Sequence, residues 1–135
     1  MLKTAIEAPP LKAVGPYSLA IAAGDVVFLS GQVHLDPSTG KLVTGDIRTQ
    51  TRQCLDNLNT VLVAARLGFE HVVKTTVFLT NMAEFAAMNE VYQTYMVEPY
   101  PARSTVQVAA LPLGAKIEIE AIAVAPPDDW PTRLA

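Results

Sequence analysis

The sequence predicts a single α/β domain in which short strands are followed by two amphipathic helices and further strands. The chain has 135 residues, which suits one domain, and 50% of them are hydrophobic. Apolar residues recur at helical spacing in two stretches, and other apolar stretches alternate with polar residues as strands do. The predicted order is a hairpin and one further short strand, then helix, strand, helix, strand and strand. No internal repeat or linker divides the chain.

The N-terminal third is predicted to form short strands joined by loops. A strand at Lys3–Ile6 precedes a Pro- and Gly-rich loop, which ends at Tyr17 and can present its phenol to a cleft. Residues 19–23 and 26–30 flank a Gly-Asp pair and predict a hairpin. In Ser30-Gly31-Gln32, which ends the second strand, the Gly either brings the backbone close to a ligand or forms a simple bulge.

Two helices are predicted from the apolar spacing, with a β-branched strand over residues 71–80 between them. Asp46 is a suitable N-cap for the first helix, and Gly68 is expected to end it. Cys54 lies in the apolar stripe and is interpreted as core, since no neighbour would lower the pKa of its thiol. Asn81 starts the second helix, whose buried stripe is Phe85, Met88, Tyr92, Tyr95 and Met96, with Asn89 at its border.

Composition and motifs exclude several classes of function. A net charge of −3 leaves no basic patch for nucleic-acid phosphates. A single cysteine fits a reducing compartment, and Met1-Leu2-Lys3-Thr4 lacks the apolar run of a signal peptide, so a cytoplasmic location is expected. His34 and His71 have no second metal ligand at helical or turn spacing. Without a phosphate loop, a dinucleotide fingerprint or a triad, acid–base chemistry on a small molecule, with no metal or other cofactor, is expected.

The apolar composition also bears on assembly. The mean hydropathy is +0.27, which is high for a short chain with much surface for its volume. No stretch approaches the roughly 20 apolar residues of a membrane span. Part of the apolar surface is therefore expected to be hidden between subunits.

Two alternating segments near the C-terminus carry the candidate catalytic residues. In the first, Arg103 and Thr105 alternate with Ser104 and Val106; in the second, Glu118 and its polar neighbours alternate with Ile and Ala. A guanidinium fork fits a carboxylate, and a Glu can position or deprotonate a water. The pair suits a small anionic substrate attacked by water. A surface salt bridge on a half-solvated sheet explains the same pattern, and the order of the segments alone predicts a terminal hairpin.

Short motifs along the chain allow a more specific interpretation. They are Gly15-Pro16-Tyr17-Ser18, Phe28-Leu29-Ser30-Gly31-Gln32, Asp56-Asn57-Leu58, Val73-Lys74-Thr75-Thr76-Val77-Phe78-Leu79, Met88-Asn89-Glu90-Val91-Tyr92, Pro101-Ala102-Arg103-Ser104-Thr105-Val106, Leu111-Pro112 and Lys116-Ile117-Glu118-Ile119-Glu120-Ala121-Ile122-Ala123. In this order they resemble the reactive intermediate deaminase (RidA, or YjgF-like) family over about residues 5–124.

The resemblance implies a chorismate-mutase-like α/β (α+β) fold. In that fold two helices pack on one face of a mixed sheet, the last strand is central, and the Arg103 strand lies beyond the strand at residues 71–80. Three such sheets pack through their other faces into a homotrimer, with clefts between subunits. The domain is expected to span residues 1–125, followed by a Pro-rich tail over residues 126–135 that Trp130 would pin to the body.

The resemblance also implies an activity: hydrolysis of reactive imino and enamine acids, such as 2-aminoacrylate, 2-iminopropanoate and 2-iminobutanoate, to a 2-keto acid and ammonia. Arg103 should clamp the substrate carboxylate, Glu118 should hold the attacking water, and the Thr105 backbone should contact the nitrogen end. The cleft should also be lined by Tyr17, Ser30, Gly31 and Asn89. Many family members carry a cysteine where this chain has Thr105, which puts any role of a thiol in doubt.

Alternatives stay open at this point. One is a non-enzymatic trimer that binds a metabolite or a protein, and another is deamination of an aminomuconate-type intermediate on the same fold. Chorismate mutase activity is disfavoured, because its substrate carries two carboxylates and Arg103 is the one obvious cation for the pocket.

Overall fold

A mixed sheet of six strands organises the computed structural model, which describes residues 2–126. In chain order the strands are β1 (Lys3–Ile6), β2 (Ala20–Ala23), β3 (Val26–Val33), β4 (Leu35–Asp36), β5 (Lys41–Leu42), β6 (Val72–Leu79), β7 (Ala102–Gln107) and β8 (Ile117–Val124). The sheet order is β1-β2-β3-β8-β6-β7, while β4 and β5 form a separate ribbon. β6 and β7 pair in parallel, and the other pairs are antiparallel. The expected tail at residues 126–135, with Trp130, lies outside the described residues except for Pro126.

Helices α1 (Ile47–Ala64) and α2 (Phe85–Tyr95) pack on one face of this sheet. The predicted N-cap of α1 is confirmed, because the Asp46 carboxylate accepts a hydrogen bond from the Thr49 backbone N–H at 3.0 Å. The predicted end at Gly68 is wrong. Arg66 takes the left-handed conformation with φ +60°, and Leu67 N–H already closes the helix on Leu62 O at 2.8 Å.

Strand β8 lies at the centre of the sheet, between β3 and β6. Its inward side chains are fully or nearly fully buried beneath α1, and each Ile among them contributes roughly 1.5–3 kcal/mol on burial. These side chains are Ile117, Ile119, Ala121 and Ala123. The strand order implied by the family resemblance is confirmed, and the terminal hairpin suggested by sequence order alone is wrong.

The two faces of β7 are the reverse of a simple apolar-inside pattern. Arg103 and Thr105 point to the helix side, where their partners on β6 are the buried Thr75 and Val77. Val106 points to the open side and is exposed. β7 is an edge strand whose helix side faces α2 through Arg103, so the burial of that side is set by α2 and not by the alternation of β7 itself.

His34 ties the small ribbon to the start of β8. Its Nδ1 lies 2.9 Å from Val43 O, and its Nε2 accepts a hydrogen bond from the Lys116 backbone N–H at 3.0 Å. These contacts require a neutral ring with the proton on Nδ1. Burial lowers the pKa of His34 below 6.5, against the opposing effect of the bond to Val43.

The stability of the protein should depend on pH because of His34. Because the pKa of His34 is lower in the folded than in the unfolded chain, its contribution is complete above about pH 6.5 and is lost as the pH falls towards the folded-state pKa. We expect the free energy of unfolding to decrease on acidification below that value. In His34→Gln, which cannot titrate, urea denaturation should show a flatter profile; identical slopes in both proteins would contradict this account.

Candidate active site in two clusters

Arg103 is held by three side chains from one face of α2. Its Nη1 donates a hydrogen bond to Asn89 Oδ1 at 2.7 Å, and its Cζ lies 4.7 Å from the ring centre of Tyr92 and 5.4 Å from that of Phe85. Helical spacing of four and then three residues puts Phe85, Asn89 and Tyr92 on that face. Stacking and one amide acceptor therefore orient the guanidinium, while no carboxylate in residues 2–126 forms an ion pair with it.

The ring beneath Arg103 is itself fixed at its far end. The Tyr92 hydroxyl lies 2.6 Å from Thr75 Oγ1, and both residues are buried. Thr75 is also the partner of Arg103 in the pairing of β6 with β7. The ring therefore connects the helix to the strand that lies beside Arg103, and the guanidinium rests on a rigid surface. The apolar spacing predicted Phe85 and Tyr92 only as core residues, although their spacing from Asn89 also places them beside the guanidinium.

Glu118 lies on the open face of the sheet, against a bulge in β3. The pairing of β3 with β8 shifts register between Leu29 and Gln32, so a bulge, one of the two interpretations of Ser30-Gly31, is present. A Cβ added to Gly31 would lie 2.8 Å from both Cδ and Oε2 of Glu118, so any other residue would displace the carboxylate. Burial, with a smaller contribution from the charge of Glu120, raises the pKa of Glu118 and makes its carboxylate a stronger base.

The loop that carries Tyr17 is tied to the same bulge. Ser30 Oγ donates a hydrogen bond to Ser18 O at 2.6 Å, and the Ser30 backbone N–H donates to Leu19 O at 2.9 Å. Tyr17 is half exposed, at 50%. We call Tyr17, Ser30, Gly31 and Glu118 the Glu118 cluster, and Asn89, Arg103 and Thr105 the Arg103 cluster.

One chain does not bring the two clusters together. Arg103 pairs with Thr75 on β6, whereas Glu118 pairs with Phe78, three residues further along that strand. β8 and β7 flank β6 on opposite sides, so the two Cα atoms are separated by roughly 14 Å from strand spacing and rise alone. The side chains also point to opposite faces of the sheet. A salt bridge between Arg103 and Glu118 within the chain, which the sequence left open, is therefore excluded.

Thr105 has an unusual environment in the Arg103 cluster. Its Oγ1 is buried and has no hydrogen-bond partner among residues 2–126. An unsatisfied hydroxyl typically costs about 1–3 kcal/mol. The thiol that many family members carry here is a weak donor and would avoid most of that cost. The predicted contact of the Thr105 backbone with substrate stays a prediction.

Other groups offer no alternative centre in the described part of the chain. No group of three or more His, Cys, Asp or Glu residues among residues 2–126 could hold a metal ion. Cys54 is fully buried with Sγ 3.6 Å from Ile117 O, and burial raises the pKa of its thiol, which confirms it as a core residue. No helix within the described range is long and apolar enough to cross a membrane.

Comparisons with known proteins identify the family. The model of the endoribonuclease L-PSP family matches residues 6–125. DfrA of Myxococcus xanthus is 53% identical over 115 residues, covering 84% of this chain and 88% of its own length. The 2-iminobutanoate/2-iminopropanoate deaminase of Mus musculus is 50% identical over 115 residues, covering 85% of each chain. YyfA of Yersinia pestis, a Rid-family protein of unknown function, superposes with a TM-score of 0.86 and 44% identity over 92% of this chain and 100% of its own. The chain belongs to this family of RidA- and YjgF-like proteins.

Replacing the unsatisfied hydroxyl should stabilise the protein. We expect Thr105→Val, which keeps the shape and removes the orphaned oxygen, to raise the free energy of unfolding by about 1 kcal/mol. Thermal or urea denaturation measures the change. The control is Thr60→Val, which removes a hydroxyl that donates to Asp56 O at 3.1 Å on the surface of α1 and should bring no gain. A loss of stability in Thr105→Val would mean that the hydroxyl has a partner in the assembled protein.

Proposed function

We propose that this protein is a hydrolytic deaminase of reactive 2-imino and enamine acids, which it converts to 2-keto acids and ammonia. The observation that carries the proposal is the oriented guanidinium of Arg103, which has no carboxylate partner in residues 2–126. A guanidinium held in this way offers two parallel donors to the carboxylate of a ligand. The name of the mouse relative, a 2-iminobutanoate/2-iminopropanoate deaminase, supports the same class of substrate.

The chemistry requires only the groups of the two clusters. Arg103 holds the carboxylate while water adds to the electrophilic imine carbon, and Glu118 accepts a proton from that water. The proton then passes to the nitrogen, which the Thr105 backbone contacts. Glu118 next takes the proton of the new hydroxyl group and passes it to the nitrogen as the carbon–nitrogen bond breaks, so ammonia leaves and the oxygen from water becomes the keto oxygen. The raised pKa of Glu118 suits this exchange of a proton in both directions.

We propose that each site lies between two subunits of a homotrimer. Arg103 and Glu118 lie on opposite faces of the sheet in one chain, so they can act on one substrate only if they come from different chains. The open face exposes Phe28, Val106 and Val124 by 48%, 41% and 39%, which is typical of a surface that another subunit covers. A ring of three chains would repeat one heterologous contact and form three equivalent sites.

A trimer that binds a metabolite without converting it is the main alternative, and an aminomuconate-type substrate is another. Glu118 packs close to Gly31, and burial there raises the pKa of its carboxyl group. This favours an enzyme, because a partly buried carboxylate is suited to proton transfer and is not needed for binding alone. Endoribonuclease activity, named in the description of the family, is not favoured by a net charge of −3. The direct test supplies 2-aminoacrylate or 2-iminobutanoate from a serine or threonine dehydratase and follows keto-acid release. A rate equal to spontaneous hydrolysis would overturn the proposed activity.

Substitutions of Arg103 should separate the contribution of its charge from that of its hydrogen-bonding geometry. Charge-assisted hydrogen bonds contribute roughly 1.5–3 kcal/mol each, and Lys keeps the charge but loses the two-donor fork. We expect Arg103→Ala to abolish measurable hydrolysis in the coupled assay and Arg103→Lys to retain a small fraction of the activity. The wild-type protein should bind simple 2-keto carboxylates, and their neutral amides should bind poorly in calorimetry. Full activity in Arg103→Ala would remove this residue from the site.

Mixing two inactive variants tests the division of the site between subunits. Glu118→Gln alone should lose about 10²–10⁴-fold in turnover while the trimer stays intact in light scattering. An equal mixture with Arg103→Ala, exchanged by refolding together, should regain roughly a quarter of wild-type activity, because each mixed ring has one unaltered site.

The control for this experiment replaces Glu118→Gln by a chain that carries both substitutions. Mixing that double variant with Arg103→Ala leaves no unaltered site and should restore nothing. If the first mixture also stays inactive although subunits have exchanged, both residues act within one chain.

A further inference from the structure

We infer that Lys74 of one subunit forms an ion pair with Glu120 of the next, and that these pairs, repeated around the ring, fix how the open faces of the sheets meet. The inference rests on the proposed function, because it takes the open face as the contact surface of the homotrimer. It adds the charged residues by which this face selects its partner, a second copy of the same chain.

Three charged side chains lie on the open face of the four strands β3, β8, β6 and β7, namely Lys74, Glu118 and Glu120. Lys74 precedes the buried Thr75 on β6, so it points away from the helix layer. Glu118 and Glu120 alternate with the buried Ile and Ala side chains of β8 and point the same way. The side chains around these three are apolar or carry hydroxyl groups. The charged groups therefore need a partner once a second sheet excludes water.

Neither Lys74 nor Glu120 has an ion-pair partner among residues 2–126. The Lys74 ammonium donates instead to Ser104 Oγ at 3.2 Å. Ser104 lies on the edge strand β7, whereas Glu120 lies on β8, at the other side of β6. The ammonium is thus directed away from the carboxylate of its own chain and towards the edge at which another subunit can approach.

Contact with a second sheet would be unfavourable for both charges unless they met each other. Glu120 is exposed and Lys74 is partly buried in the single chain. An isolated charge loses much hydration energy on burial, whereas opposite charges that meet in good geometry offset most of that loss. Because a ring of three repeats one heterologous contact, one Lys74–Glu120 pair at each contact leaves neither residue unpaired.

Glu118 is the other carboxylate of the open face and is a poorer partner for Lys74. A Cβ added to Gly31 would lie 2.8 Å from Glu118 Oε2, so this carboxylate is turned towards β3 and away from β6. Glu120 lies two residues further along β8 on the same face. An ion pair there would hold the neighbouring sheet close to the proposed base and would couple assembly to the geometry of the site.

Carbodiimide coupling of the wild-type protein tests the contact directly, because it joins an amine to a carboxylate where the two groups touch. We expect covalent dimers and trimers on a denaturing gel, in which mass spectrometry finds Lys74 joined to Glu120. Lys74→Gln and Glu120→Gln should each remove this product, whereas Glu118→Gln should keep it. A trimer that yields no such product, a product within a single chain, or coupling of Lys74 to Glu118 would overturn the inference.

Exchange of the two charges tests whether the pair selects the partner. Lys74→Glu and Glu120→Lys each bring like charges together, and the protein concentration at half-dissociation should rise about 100-fold or more in light scattering. A chain that carries both substitutions should form the trimer again. The matched control is Glu90→Lys, which makes the same change of charge at the 2.9 Å ion pair with Arg48 between α1 and α2 and should leave the trimer intact. Circular dichroism verifies that all variants fold.

The outcomes for the ion pair and for the homotrimer are distinguishable. If the wild-type protein is a trimer and the single charge reversals leave it intact, the inference is overturned and the proposed function stands. The same holds if the chain with both substitutions stays as dissociated as the single variants. If the wild-type protein is a stable monomer, the proposed site between subunits fails and the inference with it.

Discussion

The central position of β8 is the constraint on which both the core and the candidate site depend. Its inward Ile and Ala side chains anchor the helix layer, and its outward Glu118 can approach the backbone of β3 only because Gly31 has no side chain. The bulge that contains Gly31 also anchors the Tyr17 loop through Ser30. A single strand thus connects the stability of the fold to the position of the proposed base.

The Arg103 cluster depends on one face of α2. Tyr92, fixed by Thr75, supports Arg103 on the helix side of the edge strand. A rigid aromatic ring beneath a guanidinium lowers the number of orientations that the charge can adopt, so less order must be imposed when a carboxylate binds. Preorganisation here comes from the body of the domain rather than from a loop.

Much of this architecture could be predicted from the sequence, and the failures have physical causes. Alternation and helical spacing predicted the six strands of the main sheet and both helices but not the two-residue β4, and the family motifs placed β8 correctly in the centre. Alternation alone could not say which side of β7 faces α2, because that depends on pairing with β6 across a long separation in sequence. Helix α1 ends at Ala64, and Arg66 instead of Gly68 takes the left-handed conformation after it, so backbone closure can override the residue preference for that region.

The exposed apolar side chains of the open face affect the behaviour of a subunit before it assembles. In the proposed trimer this surface both completes the catalytic centre and hides Phe28, Val106 and Val124 from water. A newly synthesised subunit would expose it and be prone to aggregate or to be degraded until assembly is complete. Damage to the contact surface would then be observed as a low level of protein in the cell, before any defect in turnover could be measured.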